Sequence, residues 1–184
     1  MRASRRRFLQ VGLAGAAVLV AARVLDRADA PASPALRVLD ARTAAVVAAL
    51  VPAVLAGMLP SDPDARAGAV RDVVEAFDRA VGGLAPAIRR DIDDLLALLR
   101  YPPTRIALAG LVASWEKAEV AAVAAFLERW RASPFALQRS GCQALTQLLQ
   151  AAWYGNALSW PATGYAGPPD LAMGPATGAQ RRAP

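Results

Sequence analysis

The 184-residue chain is 55% apolar, enough to bury the core of one ordinary domain, and its alanine-rich composition with little β-branched alternation favours helices. The formal charge of +6 would suggest a nucleic-acid or membrane partner, but from Ser33 onward 15 basic residues face 13 acidic ones, too even a balance for a nucleic-acid footprint. Histidine is absent and Cys142 is the only cysteine, which excludes a haem attachment motif, the usual zinc sites, an internal disulfide and any Ser-His or Cys-His nucleophile pair.

Taken in chain order, the first feature is basic, Met1 to Arg7, followed by the uncharged apolar run Val11 to Ala22. The stretch Ser4-Arg5-Arg6-Arg7-Phe8-Leu9-Gln10 resembles the twin-arginine (Tat) export signal, Ser/Thr-Arg-Arg-x-Phe-Leu-Lys, with Gln10 as its one departure. The apolar run is rich in Ala and Gly and too short to span a hydrocarbon core, which needs about 20 residues. It therefore reads as a signal and not an anchor; the plainer alternative is the basic, apolar N-terminus of a cytosolic protein. Small residues Ala30 and Ala32 precede Ser33, which is the expected mature start, since cutting after Ala30 would leave Pro31 first. Gly12 and Gly15 follow no strand and open no helix in register, so they form no nucleotide loop.

The expected organisation is a signal at 1–32, a helical bundle at 33–155 and an extended aromatic tail at 156–184. Asp40 is placed to cap a first helix whose body, Ala44 to Leu59, is apolar on nearly every side, as a central buried helix would be, with a kink or break expected at Pro52. After the turn Leu59 to Asp64, a second helix from Asp64 to Val81 carries Val70, Val73, Val74, Phe77 and Val81 at helical spacing, and Gly82-Gly83 ends it. A third helix, Pro86 to Arg100, presents Ile88, Ile92, Leu95, Leu96 and Leu99. Its acidic residues Asp91, Asp93 and Asp94 could suggest a metal or acid-base site, but Arg89 and Arg90 stand four residues before Asp93 and Asp94, the spacing of solvated ion pairs.

A shorter segment, Thr104 to Val112, leads to Ser114, read as the N-cap of a helix from Glu116 to Ala132 with the stripe Val120, Val123, Leu127 and Trp130. Ser114-Trp115-Glu116-Lys117 matches the Ser-x-x-Lys nucleophile pattern only formally, because Ser-Asp-Asn and Lys-Thr-Gly are both absent. A last helix, Pro134 to Tyr154, has Leu137, Leu145, Leu148, Leu149 and Ala152 inward and Gln138, Gln143, Gln147 and Gln150 around the rest; Cys142 reads as a small buried apolar residue. No strand pattern or repeat is visible, and the fold class expected is an all-α bundle of about five helices with a non-helical aromatic, Gly- and Pro-rich C-terminal tail.

That tail begins Trp153-Tyr154-Gly155-Asn156-Ala157-Leu158-Ser159-Trp160 and continues through Gly164-Tyr165-Ala166-Gly167-Pro168-Pro169. Its aromatics either wrap the chain's own bundle or, as anchors on a rigid turn, form a protein interface. The stretch Trp153 to Pro169 resembles the Trp/Tyr-Tyr-x-x-Pro-x-x-Trp-x-x-x-Gly-Tyr-x-Gly-Pro-Pro ending of the gluconate 2-dehydrogenase subunit 3-like family. Ala157 and Ala166 replace commoner prolines. Weaker likeness runs upstream through Leu50-Val51-Pro52, Phe126 to Trp130 and Ser133.

The resemblance implies a non-catalytic, periplasmic accessory subunit, exported through the Tat translocase together with a flavin-dependent alcohol or sugar dehydrogenase that lacks its own signal. In such assemblies electrons leave through a cytochrome c partner. FAD would reside in the large subunit and no cofactor, metal or catalytic residue in this chain. Trp153, Tyr154, Trp160, Gly164, Tyr165, Pro168 and Pro169 are the expected interface. Membrane contact would come only through the signal or the complex. A Tat-exported structural or assembly protein with another partner, or a small-ligand binder, stays open beside this reading.

Overall fold

The structure, a computed structural model, describes residues 36–160 and 164–166. The expected signal residues Ser4, Arg5, Arg6, Phe8 and Leu9, the cleavage residues Ala30, Ala32 and Ser33, and Pro168 and Pro169 lie outside the described residues.

Asp40 caps helix α1 (Ala41–Val54), its carboxylate accepting the Thr43 N–H at 2.7 Å while also receiving Arg100 Nη1. Val46, Val47, Leu50 and Val51 of this helix are fully buried, and α1 packs against each of the other long helices, so the expectation of a central helix holds. Its end does not follow the expectation. The helix passes through Pro52 without breaking there and stops at Val54, short of Leu59. Proline removes an N–H and crowds the carbonyl four residues back, which leaves the helix only a final partial turn, closed by Leu55 N–H on the Val51 carbonyl at 2.9 Å.

Helix α2 (Pro63–Gly82) starts with proline at its first position, and Asp62 accepts the Ala65 N–H at 2.8 Å. Val73, Val74, Phe77 and Val81 face the core, and Val70 is half-buried beside them. Helix α3 (Pro86–Arg100) has the expected bounds, set by Pro86 at one end and Tyr101-Pro102 at the other. Ile92, Leu96 and Leu99 are buried and Leu95 partly so, whereas Ile88 in the first turn is exposed, since the stripe outruns its neighbours there.

The chain between α3 and the next helix departs most from expectation. It forms a single helical turn, Pro102–Thr104, a π turn, Arg105–Ala109, and a 3-10 turn, Trp115–Lys117. Ser114 makes no side-chain cap, and helix α4 (Val120–Arg131) starts after Glu119, not at Glu116. The cause is tertiary. The Trp115 ring is drawn into the core, where its Nε1 donates to the Leu99 carbonyl at 2.8 Å, and Ala118 is left extended. Val123, Leu127 and Trp130 of the stripe are buried, but Val120 is exposed.

Four long side chains staple this linker by donating to its carbonyls or those beside it: Trp115 as above, Trp130 to Leu108 at 3.0 Å, Arg129 to Ala109 at 2.6 Å, and Arg105 to Leu111 and Val112. They satisfy backbone groups that irregular structure leaves unpaired. Gly110 closes the π turn with φ of 68°, and a Cβ there would stand 2.9 Å from Arg129 Nη2. Gly110→Ala is therefore expected to destabilise the fold by about 1–2 kcal/mol, combining left-handed strain with displacement of the Arg129 staple. Chemical denaturation beside the unmodified chain measures it.

Helix α5 (Ala136–Tyr154) starts two residues later than Pro134, and packs on α2, α4 and α1. Cys142, Leu145, Leu149 and Ala152 are buried and Leu148 is partly buried. Leu137, expected inward, is exposed in the first turn; contact with the bundle is made one turn later, where Gly141 lies against Trp130 and Leu95. All described elements are helical, an all-α bundle of five long helices.

Ahead of α1, residues 36–39 are held by one carboxylate. Asp78 of α2 is almost fully buried and accepts the N–H groups of Arg37 at 2.8 Å, Val38 at 2.9 Å and Leu39 at 2.8 Å. Leu39 thereby enters the core.

Candidate functional site

The expected interface residues divide. Trp153 is buried in the bundle's own core, so it is a packing residue and not part of the surface grip expected of it; it lies in the last turn of α5, where the helix still faces its neighbours. Tyr154, the next residue, is half-exposed and its hydroxyl lies 3.8 Å from Met58 Sδ in the turn after α1.

Beyond Gly155 the tail is locally tied. The Asn156 side chain accepts the Leu158 N–H at 2.9 Å, and buried Ser159 donates to the Asn156 carbonyl at 2.7 Å. These bonds make Ala157–Ser159 a 3-10 turn, where a wholly non-helical segment was expected. Trp160 and Tyr165 meet edge to face with centroids 5.4 Å apart, and the Tyr165 N–H reaches the Trp160 carbonyl at 3.0 Å. Gly164 makes the reversal with φ of 70°. Tyr154, Leu158 and Tyr165 are each about half exposed, at 49%, 51% and 49%. The described part of the tail thus partly packs on itself and partly offers apolar surface.

A second concave site was not expected. Arg42 of α1, Arg100 and Tyr101 at the end of α3, and Pro102, Arg105, Ser114, Trp115 and Glu116 of the linker line a cleft of about 350 Å³. Arg100 is neutralised by Asp40 and also donates to Thr43 Oγ1 at 2.9 Å. Glu116 has its pKa held below the ordinary carboxylate value, first by its own backbone N–H and then by the Ser114 hydroxyl, with Arg105 adding attraction. It therefore stays ionised. Arg105 stands in an otherwise apolar run, Thr104 to Val112, and a lone arginine there was the available signal.

The remaining candidates are structural. Cys142 is buried with its sulfur 3.4 Å from the Leu127 carbonyl, and burial raises its pKa, so the thiol stays protonated and behaves as the small apolar residue expected. Arg89 and Asp93 approach to 4.0 Å on the surface of α3. Among the described residues no group of three His, Cys, Asp or Glu side chains could hold a metal ion, and no helix is long and apolar enough to cross a membrane. No family model, curated protein or solved structure matches this chain.

Proposed function

We propose that the chain is a non-catalytic accessory subunit that supplies a twin-arginine address for a folded, flavin-containing dehydrogenase and accompanies it to the periplasm. The observation that carries the reading is the stretch Ser4 to Gln10, the address of a folded cargo, on a chain that has no histidine and one cysteine with which to build a redox or hydride-transfer site. A flavin is inserted in the cytoplasm, so a flavoprotein must cross folded, and only one member of a tight complex needs a signal. The resemblance of Trp153 to Pro169 to the small-subunit ending supports the same reading. So does the exposed apolar surface of Leu158, Tyr165 and Tyr154, the last of these beside Met58, since exposed aromatic side chains are the kind that anchor partners.

The test has two parts. Arg5→Lys with Arg6→Lys should retain both this chain and the dehydrogenase in the cytoplasm; undiminished periplasmic dehydrogenase would sink the escort role. Affinity capture of the chain should bring down a yellow protein with dye-linked dehydrogenase activity, and Tyr165→Ala with Leu158→Ala should weaken that association at least tenfold without loss of helical content. Capture of a colourless partner by the same surface would favour a structural or assembly role instead.

A further inference from the structure

The turn between α4 and α5 presents apolar side chains that the bundle does not use. Phe135 and Leu137 are 67% and 82% exposed, and Leu137 is the most exposed large apolar side chain among the described residues. Their position is fixed by the turn itself. The buried Ser133 hydroxyl accepts the Phe135 N–H at 3.1 Å and donates to Gln138 Oε1, while Arg139 Nη1 donates to the Ser133 carbonyl at 2.6 Å. Ile106 is also exposed at this end, because Arg129 and Trp130 hold its π turn against the last turn of α4. The charge around these side chains has one sign: from Arg129 to Tyr154 the chain carries three arginines, Arg129, Arg131 and Arg139, and no acidic residue. All three are exposed, and Glu128 offsets one of them, Arg131. Arg131 and Arg139 also line a groove of about 430 Å³ with Cys142, Gln143, Thr146 and Gln147, which begins one turn along α5 from Phe135.

We propose that this end of the bundle docks on a membrane surface rich in anionic lipid, with Phe135 and Leu137 entering the headgroup boundary and Arg129, Arg131 and Arg139 meeting lipid phosphates. Area and shape favour lipid over a protein partner or a second copy. A stable protein interface takes about 20–30 residues on each side, far more than this protruding turn supplies. A bilayer needs no matching contour, and apolar side chains that enter it and cations that meet its negative surface each add to the attraction. Arginine suits the boundary, since its stem can lie along apolar surface while the guanidinium stays among the headgroups. The contact is peripheral, as no helix among the described residues is long and apolar enough to cross a membrane. Such docking belongs to the bundle and is independent of the leader and the tail.

The experiment uses the full chain carrying Ala136→Cys, labelled between the two anchors with a polarity-sensitive fluorophore; Cys142 is buried and stays unlabelled. The apolar run of the leader can itself adhere to lipid, so the readout is the emission at position 136 and not sedimentation alone. Vesicles of equal parts phosphatidylglycerol and phosphatidylcholine should shift the emission to the blue, saturably and at least tenfold more tightly than phosphatidylcholine alone. Salt near 1 M, which shortens the screening length to about 3 Å, should weaken that binding at least fivefold. Phe135→Ser with Leu137→Ser should abolish the shift with an unchanged circular dichroism spectrum, since both side chains are exposed. Arg131→Gln should weaken binding at least threefold. Sedimentation with vesicles without a shift, equal binding to neutral vesicles, or a shift that survives the double variant would overturn the proposal. So would a blue shift that needs no lipid and grows with protein concentration, which is what a second copy seated on the turn would produce.

Discussion

Asp78→Ala is expected to destabilise the chain by about 3 kcal/mol, because one carboxylate answers three backbone N–H groups and charge-assisted bonds of this kind are each worth about 1.5–3 kcal/mol without being additive. Loss of the carboxylate would release residues 36–39, withdraw Leu39 from the core and loosen the approach to the Asp40 cap. Asp78→Asn should cost less. Its retained oxygen can still serve Val38 and Leu39, which share Oδ1, while its amide nitrogen would meet the Arg37 N–H as donor against donor.

The same site predicts an acid limb. Burial pushes the Asp78 pKa up, but the N–H groups of Arg37, Leu39 and Val38, joined by the Arg37 charge, outweigh it and hold the carboxyl below its ordinary value of 3.8. A carboxyl depressed in the folded state contributes stability that is complete above its unfolded value and is lost as pH falls through the folded one. Unfolding midpoints should therefore drop in acid below about 3.8 for the unmodified chain, and by a smaller increment for Asp78→Asn. Denaturant titrations at neutral and acid pH measure both; parallel acid limbs would show that Asp78 does not carry the effect.

Phe126→Ala should have the larger effect, about 3–5 kcal/mol, a large fraction of an ordinary domain's stability. Phe126 is fully buried, with Trp130 at 4.9 Å and Trp115 at 6.2 Å between ring centroids, both edge-on. These tryptophans are also two of the four linker staples, so a cavity at Phe126 would loosen Trp115 on the wall of the arginine-lined cleft. Denaturant unfolding followed by near-ultraviolet circular dichroism measures the loss. Phe126→Leu, closer in volume, should lose about 1–2 kcal/mol and preserve more of the aromatic signal.

The helices with strong punctuation were legible in the sequence. The turn Leu59 to Asp64 and Gly82-Gly83 bracket α2 to within a residue, Pro86 and Pro102 bracket α3, and Asp40 opens α1, because caps and prolines act within one turn of the chain and need no tertiary partner. The buried members of each stripe followed from periodicity. Its limits were equally local: Ile88, Val120 and Leu137 keep the spacing but lie in first turns, where neighbouring helices do not cover them. Periodicity names a face and not how far the cover extends.

The sites divide along the same line. The resemblance on which the proposed function rests is carried by contiguous residues of the leader and tail, and is a reading of the sequence alone; the helical class and the missing histidine are what the sequence by itself determined. Only the tertiary structure decided that Trp153 belongs to the core, that Trp115 by turning inward moves the start of the expected helix from Glu116 to Val120, and that Asp78 anchors residues 37–39. Only the tertiary structure, likewise, brings Arg42, Arg100 and Arg105 to one cleft. These outcomes join groups some 16 to 63 residues apart, as from Leu99 to Trp115 or from Arg42 to Arg105. Spacing along one chain cannot encode such meetings, because burial and hydrogen bonding are set by what the other helices bring alongside.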